Sequence, residues 1–405
     1  MTDLLIKAGR IFDGEAEQPL ERGFVAVADG RISAVGRQAE LGDDEAGRFS
    51  RIEDLGEDAT LLPGLINMHT HMSFSAGDSV FHDGVHDSNE LRMVRAMNNL
   101  REALLCGTTT VRDCGTLNAV AFAMRDSVEQ GLVPGPRIIA SGNGITTTGG
   151  HCWFCCTQAD SEEEVRKAVR EQVKLGADFI KVFSTGGNTT PGSDPVQAQY
   201  GEAEMCAVGE EARRADRQLA SHAHGTAGVR NSIAAGVTTI EHCTFLTPQG
   251  IHYEVELAQR IADAGIYVCP TIFRGISKVG EREDIKDSPQ LKTFLKTLEQ
   301  RYENLRGLIE QGVRIVSGTD AGVRQSGFGD YPVDLALMGD GAGLSPAYVL
   351  KTATSGAADC LDLSDLGRIA PGKCADLLGV QGNPLASLAD LRRTRLVVAR
   401  GQVVN

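Results

Sequence analysis

Long apolar runs, basic clusters and aromatic side chains are all scarce in this chain of 405 residues. No apolar stretch approaches the roughly 18 residues of a membrane span, which excludes an integral helical membrane protein. No run of Lys and Arg occurs, and a net charge of −14 with a pI of about 5.2 argues against nucleic acid or an anionic membrane surface as partner. Aromatics make up 5% beside a hydrophobic share of 41%, which is ordinary globular composition. The N-terminus lacks a charged segment followed by an apolar core and a small-residue cleavage site, so no signal peptide is expected. The ten cysteines show no repeated spacing and read as reduced thiols, not a disulfide framework, which places the protein in the cytoplasm. Internal repeats and low-complexity tracts are also lacking. What these absences leave is a soluble protein acting on a small molecule, long enough for one large catalytic domain and a small satellite.

The most informative stretch is Gly64-Leu65-Ile66-Asn67-Met68-His69-Thr70-His71, an apolar run ending in two histidines spaced i, i+2. On a strand such residues share a face, so both imidazoles point the same way. The pair alone is weak evidence, because two histidines can form a satisfied polar edge. Downstream the text alternates strand and helix: apolar runs at 108–113, 137–141, 178–183, 218–222, 238–242, 266–270 and 314–320 follow the first one, with helical patterns such as the capping-box opening at Ser161-Glu162-Glu163-Glu164. Eight such units predict a (β/α)8 TIM barrel over 59–361, whose chemistry belongs at the C-terminal strand ends. Short alternating strands at 1–58, with an Asp29-Gly30-Arg31 turn, and at 362–405 predict a small β-sandwich formed by the N- and C-terminal segments.

The barrel supplies its own test. The polar residues ending its strands are His69, His71, Lys181, His222, His242 and Asp320, a set that converges on one mouth if the topology is right. Imidazoles and a carboxylate suit zinc and similar divalent ions. Lys181 is the odd member: it is either a buried lysine paired with a carboxylate, or an amine that reacts with carbon dioxide to give a bridging carbamate.

With Pro63 to His71, Lys181 in Phe179-Ile180-Lys181-Val182, His222 in Ser221-His222-Ala223-His224-Gly225, His242 in Ile240-Glu241-His242 and Asp320 in Ser317-Gly318-Thr319-Asp320-Ala321-Gly322, the chain resembles the metal-dependent amidohydrolase superfamily. Within it the pattern is similar to the branch of imidazolonepropionase-like proteins, prolidase-like dipeptidases and ochratoxin-type amidases. The resemblance implies two divalent metal ions, zinc by expectation: one on His69, His71 and Asp320, a second on His222 and His242, bridged by a carbamate on Lys181. Imidazolonepropionase uses one metal without the bridging lysine, so Lys181 favours the two-metal amidases and dipeptidases. Attack by a hydroxide held between the cations is then expected, with Asp320 as proton shuttle. The substrate class implied is a dipeptide or N-acyl amino acid, with cyclic amides, aryl amides, carbamates and ureas as alternatives and a non-catalytic barrel as the remote one. Self-association through barrel faces, common in similar proteins, makes a homo-oligomer the expectation.

Other residues are assigned roles with their bland counterparts. His224 shares a strand with His222, and His151 follows the third strand in a Gly-rich loop; each is either a substrate or oxyanion contact or a structural hydrogen-bonding residue. Trp153, the only tryptophan, is expected to line an apolar part of the pocket, and Cys152-x-x-Cys155 lacks the second ligand pair of a zinc site. The Gly/Pro-rich segment 185–195 reads as a lid. Arg230, Arg274 and Arg324 are candidate anchors for a substrate carboxylate, while His82, His86 and His252 read as surface residues. The charges at 281–311, Arg301 among them, read as the solvated face of an amphipathic helix.

Overall fold

The computed structural model describes residues 4–42, 49–272 and 289–404. Arg274 and the first part of the helix expected over 281–311 lie outside the described residues; the helix itself is present as Pro289–Glu310. The fold is mixed α/β with a parallel sheet, in agreement with the expected class.

The first strands in chain order are β1 (Leu4–Ile11), β2 (Leu20–Ala28), β3 (Arg31–Arg37), β4 (Arg51–Asp54) and β5 (Ala59–Pro63). Asp29 and Gly30 both take positive φ, 52° and 77°, so the β2–β3 hairpin has the backbone that an Asp-Gly pair favours because its twist matches the strands. At the other end of the chain β5 pairs antiparallel with the strand Leu377–Gln381, which pairs in turn with Thr394–Ala399. Both ends of the chain therefore share one hydrogen-bonded sheet. Alternation sends Leu4, Ile6 and Ala8 into a core with Val25, Val27, Leu377, Leu396 and Val398, while Leu5 joins Phe24 and Ala26 on the other face.

Between these ends run β6 (Leu65–Thr70), β7 (Thr108–Asp113), β8 (Arg137–Ala140), β9 (Gly144–Thr146), β10 (Cys156–Gln158), β11 (Ile180–Phe183), β12 (Leu219–Gly225), β13 (Thr239–Thr247), β14 (Gly250–Ile251), β15 (Tyr267–Cys269) and β16 (Arg314–Ile315). Parallel pairing joins β6-β7-β8 and, separately, β9-β11-β12-β13-β15-β16. Hydrogen bonds continue across both seams: Asp178 N–H donates to the Ala140 carbonyl at 2.9 Å, and past β16 Asp320 N–H donates to His69 O at 2.9 Å and His71 N–H to Ala321 O at 2.7 Å. A Cβ on Gly318 would stand 2.7 Å from His69 N, so only glycine admits this close approach. Helix Glu162–Leu175 opens with the expected capping box, Ser161 Oγ accepting from Glu164 N–H and Glu164 Oε2 from Ser161 N–H at 3.1 Å.

Candidate metal centre and active site

Strand register gathers the polar residues. Phe183 faces His222 across β11–β12, and Ala223 faces His242 across β12–β13, so Lys181, His222 and His242 stand on adjacent strands. Several residues here hold left-handed backbone without being glycine, among them His242 at φ 71°, Thr271 at 44° and Asp320 at 58°. Each such conformation costs about 1–3 kcal/mol, and such strain collects where chemistry needs a side chain aimed.

One corner is built on His69 and His71. Both Nε2 atoms approach the same oxygen, Asp320 Oδ1, at 3.3 and 3.2 Å. Their other nitrogens are taken: His71 Nδ1–H donates to the Gly115 carbonyl at 2.9 Å, and His69 Nδ1 lies 2.7 Å from Glu241 Oε2. Glu241 is itself held by Arg112 Nη2 at 2.5 Å and the Thr239 hydroxyl at 2.6 Å, all three buried. Burial by itself would raise both carboxyls, but Arg112 and His69 hold Glu241, and His69 and His71 hold Asp320, well below the usual carboxylate range. Burial, and then the Lys181 charge, push the His69 imidazole down to about 4, so it is neutral and presents a lone pair at Nε2.

The opposite corner is built on His222 and His242. A carbonyl can only accept, so His222 Nε2–H donates to Gly186 O at 3.0 Å and leaves Nδ1 bare. The Thr271 hydroxyl donates to Pro270 O at 2.9 Å and therefore accepts from His242 Nδ1–H at 2.6 Å, leaving Nε2 bare. These two unprotonated nitrogens face each other at 2.9 Å. Burial lowers the pKa of both rings, so protonation is not the remedy. Beside them Lys181 Nζ is buried and finds no hydrogen-bond partner among the described residues. With the Thr271 proton on Pro270 O, two lone pairs converge on one point, an arrangement that suits a cation, and the partnerless Lys181 amine beside them suits carbamate formation. The ligating atoms of His222, His224 and His242 lie within 4.8 Å of one another, as do those of His69, His242 and Asp320. The residues present thus fit metal, with His242 within reach of both corners.

The model of the amidohydrolase family matches residues 60–404. The chain belongs to the amidohydrolase family. Ochratoxinase of Aspergillus niger is 26% identical over 97% of this chain and 84% of that protein. Imidazolonepropionase of Salinispora tropica is 25% identical over 87% of this chain and 84% of its own length. A solved structure of an Xaa-Pro dipeptidase with methionine bound in its active site is similar at TM-score 0.86 and 30% identity, each chain covered in full. The amidohydrolase is accordingly a hydrolase of carbon–nitrogen bonds that acts on small molecules, in a family that generally binds metal ions.

In this amidohydrolase a cavity of about 680 Å³ opens over the ligand cluster, lined by His151, His222, His224, His242, Asp320 and Phe81 among others. Asn188, Thr189 and Pro191 of the Gly/Pro-rich segment line it as well. His224 stacks on His242 with centroids 4.3 Å apart, and its pKa is pushed down to about 3 by burial and then by Arg301. His151 lies 4.8 Å from the His222 ring, and its Nδ1 is buried with no partner among the described residues. Trp153 packs edge-on behind Phe81 at 6.1 Å, and Phe81 and Val80 supply the apolar wall of the cavity. Cys152 and Cys155 are buried among Phe74, Val80 and Phe183 and join no cluster of three possible ligands among the described residues.

The arginines fall out differently. Arg230 pairs with Glu254 at the surface, away from the cavity lining. Arg324 reaches the rim, where its Nε lies 3.1 Å from Asp78 Oδ1. Arg301 departs from the solvated helix face expected for it: its Nη2 donates to the Pro270 and Thr271 carbonyls at 2.7 and 2.9 Å, and it lines the cavity. His82, His86 and His252 are exposed, as expected. Glu241, Arg112 and Thr271 were given no role by sequence reasoning, although a charged residue inside each of two buried, apolar or Thr-rich strands is a signal, since it demands a partner.

Proposed function

We propose that the amidohydrolase hydrolyses an amide bond of a dipeptide or N-acyl amino acid at a binuclear divalent metal site, zinc by ligand type, with Lys181 carbamylated between the ions. The observation that carries this reading is the facing pair of bare nitrogens on His222 and His242 beside the partnerless Lys181 amine. His69, His71 and Asp320 would hold one ion and His222 and His242 the other. When bound, such ions polarise a carbonyl and lower the pKa of water toward neutrality.

The chain's own residues do the rest. Asp320, its carboxyl held below the usual carboxylate range, would accept the proton of the attacking water and deliver it to the leaving nitrogen. His151 and His224, both on the cavity wall, would contact the substrate: His151 would donate to the carbonyl oxygen as it gains charge, while His224, whose Nδ1–H is spent on the Thr244 hydroxyl, offers a bare Nε2. The lid segment and the Phe81 wall exclude water from the reacting bond. For the scaffold, we read residues 59–361 as a closed (β/α)8 barrel and residues 1–58 with 362–405 as a β-sandwich, a reading supported by the hydrogen bonds across both seams and the shared terminal sheet. Ten unpaired cysteines support a cytoplasmic location, and Leu91, Val94 and Met97, exposed along one helix, support self-association. Among the described residues no helix is long and apolar enough to cross a membrane.

The test is a panel of dipeptides, N-acyl amino acids, aryl amides, carbamates and ureas offered to zinc-loaded protein, with product masses and metal content measured together. Two ions per chain and cleavage of the first two classes are expected. Cleavage of only the last three would retire the peptidase-like reading and leave the metal chemistry standing.

A further inference from the structure

The metal-side cavity contains two guanidinium groups in contrasting states. Arg324 is at the rim, exposed, and already neutralised by Asp78. Arg301 is half-buried, lines the cavity, and among the described residues its recorded partners are backbone carbonyls and no carboxylate. Only its Nη2 is engaged, by the two carbonyls of Pro270 and Thr271, and the donors on Nε and Nη1 make no hydrogen bond among the described residues. Burial lowers the Arg301 pKa and Asp320 opposes that, yet Asp320 Oδ1 is already claimed by His69 and His71. A desolvated cation with free donors calls for an anion, and a guanidinium fork matches a carboxylate with two parallel hydrogen bonds.

We propose that Arg301 is the specificity-determining receptor for a substrate carboxylate adjacent to the scissile bond, which makes amides of α-amino acids the preferred substrates. This rests on the amide-hydrolase reading above. The carboxylate belongs close to the scissile bond, because Arg301 lines the same cavity as His224, His242 and Asp320. Arg301 also has a second connection to the centre. Its two carbonyl bonds hold the Pro270–Thr271 turn, whose hydroxyl in turn orients His242. A substrate seated on Arg301 is thereby positioned relative to a metal ligand through one short chain of bonds.

The experiment compares matched pairs on the metal-loaded enzyme: an N-acyl amino acid against its decarboxylated N-acyl amine, and a dipeptide against its C-terminal amide. Wild type is expected to favour each acid by about 100-fold in kcat/KM, carried mainly in KM. In Arg301→Gln that preference should fall below about threefold, and Arg301→Lys should restore part of it, because a point charge replaces the fork. Equal turnover of acid and neutral partner by wild type, or an unchanged preference in Arg301→Gln, would overturn the proposal. A direct binding measurement separates it from the hydrolase reading: an amino acid should raise the Tm of wild type more than its decarboxylated amine does, and Arg301→Lys should narrow that difference. If no amide is cleaved, the hydrolase reading fails while the Tm difference still judges Arg301. If Arg301→Gln does not fold, the Lys variant and the paired substrates decide, and no preference change in the Lys variant counts against the assignment.

Discussion

The sheet built from the two ends of the chain and the mouth of the parallel sheet are both made of short, buried strands, but they bury opposite things. In the terminal sheet Leu4, Ile6, Val25, Val27, Leu377 and Val398 meet one another, each nearly or fully inaccessible. At the mouth the same degree of burial falls on His69, Lys181, His222, Glu241 and Arg112. Apolar burial stabilises about 25 cal/mol per Å² and demands nothing of its neighbours. Polar burial costs free energy unless every group finds a partner, and among the described residues the Lys181 amine does not. The difference teaches where stability and chemistry reside: the terminal sheet should tolerate loss of chemistry-neutral atoms only at a cost in stability, and the mouth the reverse.

The sharpest break of this contrast comes from Asp320→Asn, which should cut turnover by about 10³-fold or more while leaving Tm close to wild type. Steady-state kinetics and thermal unfolding on the same preparation check it, and near-wild-type turnover would remove Asp320 from the proton path. Glu241→Gln should blur the two regions, because it strips the charge that balances buried Arg112 and orients His69. Loss of about 3–5 kcal/mol of stability is expected, together with metal affinity weakened about 10- to 100-fold, read by denaturant titration and competitive chelation. Leu377→Ala in the terminal sheet should cost about 2–5 kcal/mol yet leave kcat/KM of the folded enzyme within about twofold. A kinetic loss comparable to that of Asp320→Asn would show that the sheet shapes the site.

The smallest effect is a pH dependence of the metal-free protein. The folded pKa of His69 is lowered from 6.5 to about 4, so the unfolded chain binds the proton more readily between those values. Its contribution is therefore intact above pH 6.5 and is lost as pH falls toward 4, amounting to about 3 kcal/mol when complete. Urea midpoints of chelated protein across that window check the sign. A terminal-sheet variant such as Leu377→Ala should shift the whole curve down without changing its shape.

Much of this was legible in the residues themselves. His69, His71, Lys181, His222, His242 and Asp320 stood out because ligand-type side chains ended successive apolar runs, and the structure brings them to one mouth. Asp29-Gly30 and Ser161-x-x-Glu164 announced a hairpin and a helix start because those preferences are local, acting over two to four residues. Three-dimensional contact decided the rest. Glu241 and His69 are 172 positions apart, so no spacing rule could pair them. Which nitrogen of His222 or His242 is bare depends on Gly186 O and the Thr271 hydroxyl, partners supplied by neighbouring loops. Arg301 and Arg324 look alike along the chain and both line the cavity, yet among the described residues only Arg324 meets a carboxylate, that of Asp78. Residue chemistry and short-range backbone preference were determined by the sequence alone; tautomer, charge balance and accessibility were decided by tertiary structure, because each depends on atoms that folding brings within a few ångströms.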